Sequence, residues 1–115
     1  MNKTFTLLDE SFQEEFLSIL AIGLLECLKK DIIDTNRAEQ WLFSPVVAYS
    51  ITKKDFSKQF ISAMKYASEL DACKNTEFYQ NSISESEQLF YDVLKNGIKQ
   101  SVSTEPLRML VDYLK

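Results

Sequence analysis

The side chains that could do chemistry in this chain are its carboxylates, its lysines and two cysteines, because the sequence contains no histidine. That absence excludes Ser-His-Asp and Cys-His catalysis and every zinc site that needs a histidine ligand. It also excludes the Glu-x-x-His pairs of di-iron bundles. The glycines are Gly23 and Gly97 alone, too far apart for a phosphate-binding loop or a dinucleotide fingerprint.

The two cysteines, Cys27 and Cys73, stand alone in separate predicted helices and belong to no CxxC or other ligand spacing. We interpret them as buried thiols in a reducing cytoplasm. A hydrolase that uses carboxylates needs two acids in one cleft, whereas the acids here occur where solvated helix faces or helix starts place them. We therefore expect no enzyme, no catalytic residue, no cofactor and no metal.

Acidic side chains cluster at the start of the first predicted helix, at Asp9, Glu10, Glu14 and Glu15. A helix macrodipole favours negative charge there, which is a sufficient structural explanation. The other explanation is recognition of a basic partner protein by Glu10, Glu14 and Glu15. The net charge is −4 for the whole chain and also −4 for residues 1–43, so the negative charge is uneven along the sequence.

Two aromatic residues, Phe78 and Tyr79, interrupt the polar segment 74–82, which is typical of a loop. Either they pack onto the core, or they anchor a partner in the manner of interface aromatics. In the second case they would supply a desolvated centre beside the acids of the first helix.

Four lysines, Lys53, Lys54, Lys58 and Lys65, could contact phosphates if the third predicted helix were the reading helix of a helix-turn-helix. The alternative is a solvated face with Asp55 and Glu69 among the lysines. The net charge of −4 and a pI of about 4.8 disfavour nucleic acid, and no cluster of base-reading side chains accompanies the lysines. We expect no nucleic-acid partner.

These side chains are positioned by a predicted all-α bundle of four to five helices around a central apolar helix at about residues 10–30. Between Phe16 and Leu28 only Ser18 and Glu26 are polar, so apolar side chains cover an arc of roughly 240°. Such an arc predicts a helix enclosed by others on several sides. Gly23, costly in mid-helix, then predicts a close helix crossing.

The remaining elements follow from caps and periodicity. Asp34 or Thr35 begins a short helix that bears Ala38, Trp41 and Leu42 on one face and ends before Pro45. Ser44 caps a helical turn at 46–51 with Pro45 in its first position. We expect further helices after Thr52, after a Ser84–Glu87 capping box and after Thr104. Their apolar stripes are Phe56, Phe60, Ala63, Met64, Ala67 and Leu70, then Leu89, Phe90, Val93, Leu94 and Ile98, then Leu107, Leu110, Val111 and Leu114.

We expect one domain spanning residues 1–115, located in the cytoplasm. The start of the chain does not look like a signal peptide, and the apolar run of the first helix is shorter than the roughly 20 residues that cross a bilayer. Residues 2–8 alternate like a β-strand and predict an extended arm. The arm lies on the helices or pairs across a homodimer.

The region from Phe5 to Pro45 resembles an uncharacterised family of short, acidic, helical proteins from low-GC Gram-positive bacteria. The similar parts are the opening TFTL, then SILAIGLLECLKKDIID, then AEQWLFSP. The family is a domain of unknown function, so the resemblance implies a mostly α fold and supplies no catalytic residue.

The hypothesis that unites these observations is a non-enzymatic protein-binding module. Its sharpest form is an immunity- or antitoxin-type inhibitor of a basic partner, with Glu10, Glu14, Glu15, Phe78 and Tyr79 at the interface. The alternative is a small DNA-associated regulator that uses residues 53–65.

Overall fold

The computed structural model describes residues 10–98 of the chain, with side chains from Gln13 to Gly97. This part is helical, with no strand between residues 10 and 98. In order, its elements are α1 (Glu10–Lys29), α2 (Thr35–Ala38), a π-helical turn (Glu39–Phe43), α3 (Pro45–Ile51), α4 (Lys58–Ala67), a 3-10 helix (Leu70–Cys73) and α5 (Tyr79–Ile98).

The two long helices, α1 and α5, pack against each other, and α4 also packs against α5. Asp31, just after α1, lies near Tyr79 at the start of α5, so the two helices run antiparallel. Near one end of the bundle, Asn96 donates a hydrogen bond to Gln59 over 2.7 Å. The helical elements and their packing confirm the predicted all-α bundle for the described residues. Its expected arm at residues 2–8 and its last helix after Thr104 lie outside them.

The core is centred on an aromatic cluster. Phe90 of α5 lies 6.2 Å from Phe43 and 6.2 Å from Phe60 between ring centroids, and Phe56 lies 5.1 Å from Phe60. Three of these rings are fully buried, so α2 with its π turn, α4 and α5 all meet at Phe90. Among the described residues, the other large apolar side chains that are fully buried are Leu25, Met64 and Ile83.

α1 buries one side only among the described residues. Ala21, Leu25 and Leu28 are buried, whereas Ile19 is 58% exposed and Gly23 is exposed. A Cβ added at Gly23 would meet no atom within 4 Å. The prediction of a close helix crossing at Gly23 is therefore wrong, because the crossing helix α5 contacts the opposite side.

The caps explain where the helices begin. The backbone N–H of Arg37 donates to Asp34 Oδ1 over 2.8 Å, and that of Val47 donates to Ser44 Oγ over 3.1 Å. Both caps confirm the predictions. The expected cap at Thr52 is wrong, because the Thr52 hydroxyl donates back to the Tyr49 carbonyl, and Ser57 caps α4 instead.

α5 begins at Tyr79, which is earlier than the expected capping box. Ser84 and Glu87 lie inside the helix, so they form no box. Glu87 is 3% exposed and forms an ion pair with Lys29 of α1. The capping-box prediction was wrong because Ser84 and Glu87 have the spacing of a capping box, whereas Glu87 is buried inside the helix by its contact with α1.

Between residues 10 and 98, the longest helices are too polar or too short in their apolar part to cross a membrane.

Candidate functional site

The acids of the first helix take part in packing. The backbone N–H of Ser57 donates to Glu14 Oε1 over 2.6 Å, so Glu14 ties α1 to the start of α4. Glu14 and Glu15 are both half-buried. The side chain of Glu10 lies outside the described side chains, and Glu10 itself is the first residue of α1.

The two predicted anchor aromatics have different environments. Phe78 is 60% exposed, whereas Tyr79 is half-buried and packs against the core. Desolvation raises the pKa of Tyr79 above its ordinary value, and the nearby Cys73 thiol and the Asp31 carboxylate add to that rise. Tyr79 therefore lies close to the end of α1.

The structure places the acids and the aromatics at opposite ends of α1. Glu14 contacts the start of α4, which Asn96 near the end of α5 also contacts. Phe78 precedes Tyr79, the first residue of α5, and Tyr79 lies near Asp31 and Asp34, which follow α1. Lys29 lies fifteen positions after Glu14 in α1, which corresponds to about 22 Å along the helix axis. The five residues proposed from sequence do not form one surface.

Phe78 has other acids beside it. We use the name acidic end for the exposed residues around the junction of α1 and α5, which are Asp31, Ile32, Asp34, Glu77 and Phe78. Ile32 is 67% exposed and Phe78 60%. Lys30 and Lys74 in this region are neutralised by Glu26 (3.5 Å) and Asp71 (3.1 Å).

Asp31 has a backbone conformation that normally favours glycine. Its φ is 59°, and it follows α1 in a Schellman motif. The Asp31 N–H donates to the Leu28 carbonyl over 3.1 Å, and the Ile32 N–H donates to the Cys27 carbonyl over 2.9 Å. An L-residue in the left-handed region costs about 1 kcal/mol. Ile32, which follows in this motif, is exposed. The motif places the Asp31 carboxylate at a position where glycine would be more stable.

A second group of charges joins α1 to α5. Lys29 pairs with the buried Glu87 and, over 3.7 Å, with Glu26. The hydrogen bond with Glu87, and then the charges of Lys29 and Lys30, hold the pKa of Glu26 below its ordinary value. The hydrogen bond with Glu87 raises the pKa of Lys29. Both shifts favour the charged forms of Glu26 and Lys29, and the contact of Lys29 with Glu87 joins α1 to α5.

A polar contact of a similar kind joins α2 to the 3-10 helix. The Thr35 hydroxyl donates to Asp71 Oδ1, and Lys74 also binds that carboxylate. These two partners hold the pKa of Asp71 below its ordinary value. Thr35 is buried, so Asp71 supplies the hydrogen-bond partner that its hydroxyl could not find in water.

The lysines of the predicted reading helix are divided between two elements. Lys53 and Lys54 lie in the turn after α3, whereas Lys58 and Lys65 lie in α4, and all four are exposed. Lys53 places its ammonium 4.8 Å from the centroid of the Tyr49 ring. Gln59, the lone base-reading candidate, accepts a hydrogen bond from Asn96.

A cleft with a volume of about 190 Å³ is lined by Tyr66, Glu69, Leu70, Cys73 and Ser82. Pockets that hold small molecules measure about 300–1,000 Å³. The thiol of Cys73 is half-buried and donates to the Leu70 carbonyl over 3.4 Å. From residue 10 to residue 98 no cluster of three or more acids and cysteines is arranged to hold a metal.

Two sites were not found from sequence. The acidic end was missed because Asp31, Ile32 and Asp34 looked like an ordinary helix end. Its signal was an aspartate in the position after Lys29-Lys30 where a glycine is expected. The other is a surface around Trp41 and Tyr49, which a helical wheel cannot reveal because a π turn changes the angle between successive side chains.

These features define a small all-α helical protein with exposed apolar side chains at a charged end. The model of the family described as protein of unknown function (DUF3969) matches residues 9–109, so the chain belongs to that family. The resemblance to a family of unknown function with a mostly α fold is thus confirmed. Comparison with curated proteins and with solved structures finds no match.

Proposed function

We propose that this chain is a non-enzymatic protein-binding module, an inhibitor of the immunity or antitoxin type, and that its acidic end binds a basic partner. The observation that carries the proposal is the pairing of exposed apolar side chains, Ile32 and Phe78, with the carboxylates of Asp31 and Glu77. Of the five residues predicted from sequence, this site keeps Phe78, and Asp31 and Glu77 take the place of Glu10, Glu14 and Glu15.

The apolar part of the acidic end suits the centre of an interface. Isolated exposed leucines and isoleucines are common on protein surfaces, but two large apolar side chains at one charged end are less so. Burial of Ile32 and Phe78 by a partner would remove both from water. Interfaces derive most of their binding free energy from a few such side chains.

The acidic part suits the capture of a basic protein. Like-signed charge on an exposed surface steers an oppositely charged partner and excludes partners of the same sign. Asp31 supports this role because its carboxylate is kept at a backbone position where glycine would be more stable. A costly conformation that persists is a reason to suspect function.

We also propose that the protein works in the cytoplasm. Cys27 and Cys73 are both free thiols, which suits a reducing compartment.

The second proposal, a DNA-associated regulator, is supported by the exposed Lys54 and Lys58. It is weakened by the net charge of −4. A gel shift with genomic fragments tests it, and we expect no shifted band at moderate salt.

The binding experiment starts from the partner recovered with the tagged chain from its native host. Association rates are then measured against ionic strength for the native chain and for Asp31→Asn/Glu77→Gln. Asparagine tolerates positive φ, so the fold is preserved. We expect association to slow by about tenfold or more at low salt.

The matched control is Asp55→Asn/Glu69→Gln, which removes the same charge from exposed positions elsewhere. It should associate almost as fast as the native chain. Equal slowing of both variants would mean that net charge alone acts. A partner that associates with Asp31→Asn/Glu77→Gln as fast as with the native chain, or whose release is unchanged by Phe78→Ala, would refute the proposal.

A further inference from the structure

A second exposed surface lies on the side of α2, the π turn and α3 that faces away from the core. It consists of Arg37, Trp41, Val46, Tyr49 and Lys53, and we call it the aromatic-basic surface. Trp41 is 58% exposed, Val46 74% and Tyr49 63%. Large apolar side chains with this much exposure indicate a binding surface when they occur in one short segment.

The local structure explains why these side chains project outward. α3 buries Ala48 and Ile51, so Val46 and Tyr49, three residues apart, share its exposed face, which continues to Lys53 in the following turn. The π turn buries both Leu42 and Phe43. The extra residue per turn lets two consecutive side chains reach the core and leaves Trp41 outside.

The π turn is itself informative. π-helical segments are rare, and they occur frequently at functional sites. Here the segment Glu39–Phe43 has Trp41 at its middle, four residues after Arg37. Arg37 donates to Gln40 over 3.2 Å, which holds the guanidinium beside the turn. Val46 lies five positions after Trp41, so their Cα atoms are at most about 18 Å apart.

The charge of this surface is positive and unneutralised. Among the described residues the ion pairs involve Lys29, Lys30 and Lys74, and neither Arg37 nor Lys53 belongs to any of them. The Lys53 ammonium lies 4.8 Å from the Tyr49 ring centroid, a cation–π contact that keeps charge and aromatic ring together. Tryptophan, tyrosine and arginine are also the residues most enriched at binding hot spots.

We propose that the aromatic-basic surface binds a segment of a partner protein that carries both acidic and apolar side chains. The acidic groups meet Arg37 and Lys53, and the apolar groups cover Trp41, Val46 and Tyr49. This surface is distinct in residues and opposite in charge from the acidic end. The inference therefore goes beyond the proposed function and does not depend on it.

Charge complementarity favours this occupant over two others. Single-stranded nucleic acid also uses aromatic rings and cations, but its binders provide a positively charged groove along the backbone, whereas this surface has two cations, Arg37 and Lys53, and includes the aliphatic Val46. The acidic end of a second copy is complementary, but that contact would join two different surfaces. Such head-to-tail contacts form rings or open chains, so self-association is one of the outcomes that the test below distinguishes.

The test uses a phage-displayed library of random dodecapeptides selected on the immobilised full chain. We expect enriched peptides with an excess of Asp and Glu and at least one aromatic or aliphatic side chain. The most enriched peptide is synthesised and its Kd measured. Trp41→Ala and Tyr49→Ala should each weaken binding about tenfold, and Lys53→Glu should weaken it and reduce its salt dependence.

Matched controls separate this surface from the rest of the molecule. Lys65→Glu makes the same charge change as Lys53→Glu at an exposed position of α4, and it should leave the peptide Kd unchanged. Asp31→Asn/Glu77→Gln should also leave it unchanged, so the failure of this proposal and the failure of the proposed function have different readouts. Circular dichroism and urea melts confirm that each variant is folded.

Several outcomes would overturn the proposal. They are the absence of enriched peptides, enrichment of basic peptides, and a Kd that survives Trp41→Ala and Tyr49→Ala. Tighter binding of fluorescent oligothymidylate, lost in Tyr49→Ala, would assign the surface to nucleic acid. Sedimentation that shows self-association lost in Tyr49→Ala would assign it to a second copy of the chain.

Discussion

At the scale of single residues, Gly23 lies in the middle of α1 with solvent beside it. An added Cβ meets nothing within 4 Å, so alanine fits without displacement of a neighbour. Alanine is about 1 kcal/mol more favourable than glycine inside a helix. We predict that Gly23→Ala raises the free energy of unfolding by about that amount, as measured by urea denaturation.

The control is Ala21→Leu on the buried side of the same helix, where the side chain is fully enclosed. This variant should lose about 1–3 kcal/mol by overpacking. A Gly23→Ala protein less stable than the native chain would mean that a neighbour closes against Gly23 and that the sequence-based prediction of a helix crossing was right.

The Asp71 carboxylate gives a prediction about pH. Its partners Thr35 and Lys74 hold its pKa below the ordinary value of 3.8. A group whose pKa is depressed by folding contributes stability above its unfolded pKa and loses it as the pH falls through the folded value. We predict that the urea midpoint falls below pH 4, and that Asp71→Asn removes part of that fall.

Glu26 behaves in the same direction, with its pKa depressed from 4.5 by Glu87 and the neighbouring lysines. Asp71→Asn should therefore leave a residual acid sensitivity. The comparison is made between pH 7 and pH 3 on both proteins. Identical pH profiles for the two would show that the Thr35–Asp71–Lys74 contact contributes nothing to folding.

At the scale of elements, the ion pair between Lys29 and Glu87 joins the two longest helices. Glu87 is nearly inaccessible to solvent, whereas Lys29 is 36% exposed at its side chain. Removal of the lysine leaves a buried carboxylate without its cation. We predict that Lys29→Ala lowers the free energy of unfolding by about 2 kcal/mol at neutral pH, since exposure moderates the cost of a fully buried charge.

The double variant Lys29→Met/Glu87→Leu tests the interpretation. Apolar residues of similar volume commonly replace a buried pair at little cost. We therefore expect the double variant to be closer to native stability than Lys29→Ala. If the double variant is the less stable of the two, the pair contributes a net attraction larger than its desolvation cost.

At the scale of the whole molecule, the antiparallel arrangement of α1 and α5 decides which acidic residues lie at the same end of the bundle. It brings Asp31, at the end of α1, beside Glu77 and Phe78, which precede α5. It leaves Glu14 at the far end, bonded to Ser57. Under the two proposals above, the acidic end binds a basic partner and the aromatic-basic surface binds an acidic one, so one chain would bind two partners of opposite charge.

Local sequence by itself determined where much of the helical structure lies. Asp34, Ser44 and Pro45 mark helix starts through their own hydrogen bonds and φ restriction, which need no distant partner. The apolar stripe of α4 was also predicted correctly, with Phe60, Ala63 and Met64 buried. Its narrow width leaves one possible buried face. Family membership was likewise accessible from the residues between Phe5 and Pro45.

Only the tertiary structure decided which of these residues meet. The apolar arc of α1 is so wide that several faces could be buried, and contact with α5 selected the side of Leu25 over that of Gly23. Contact with α1 likewise put Glu87 inside a helix. The acidic end and the aromatic-basic surface depend on helix direction and on a π turn. Helix direction depends on contacts between residues far apart in the sequence, which no local pattern encodes.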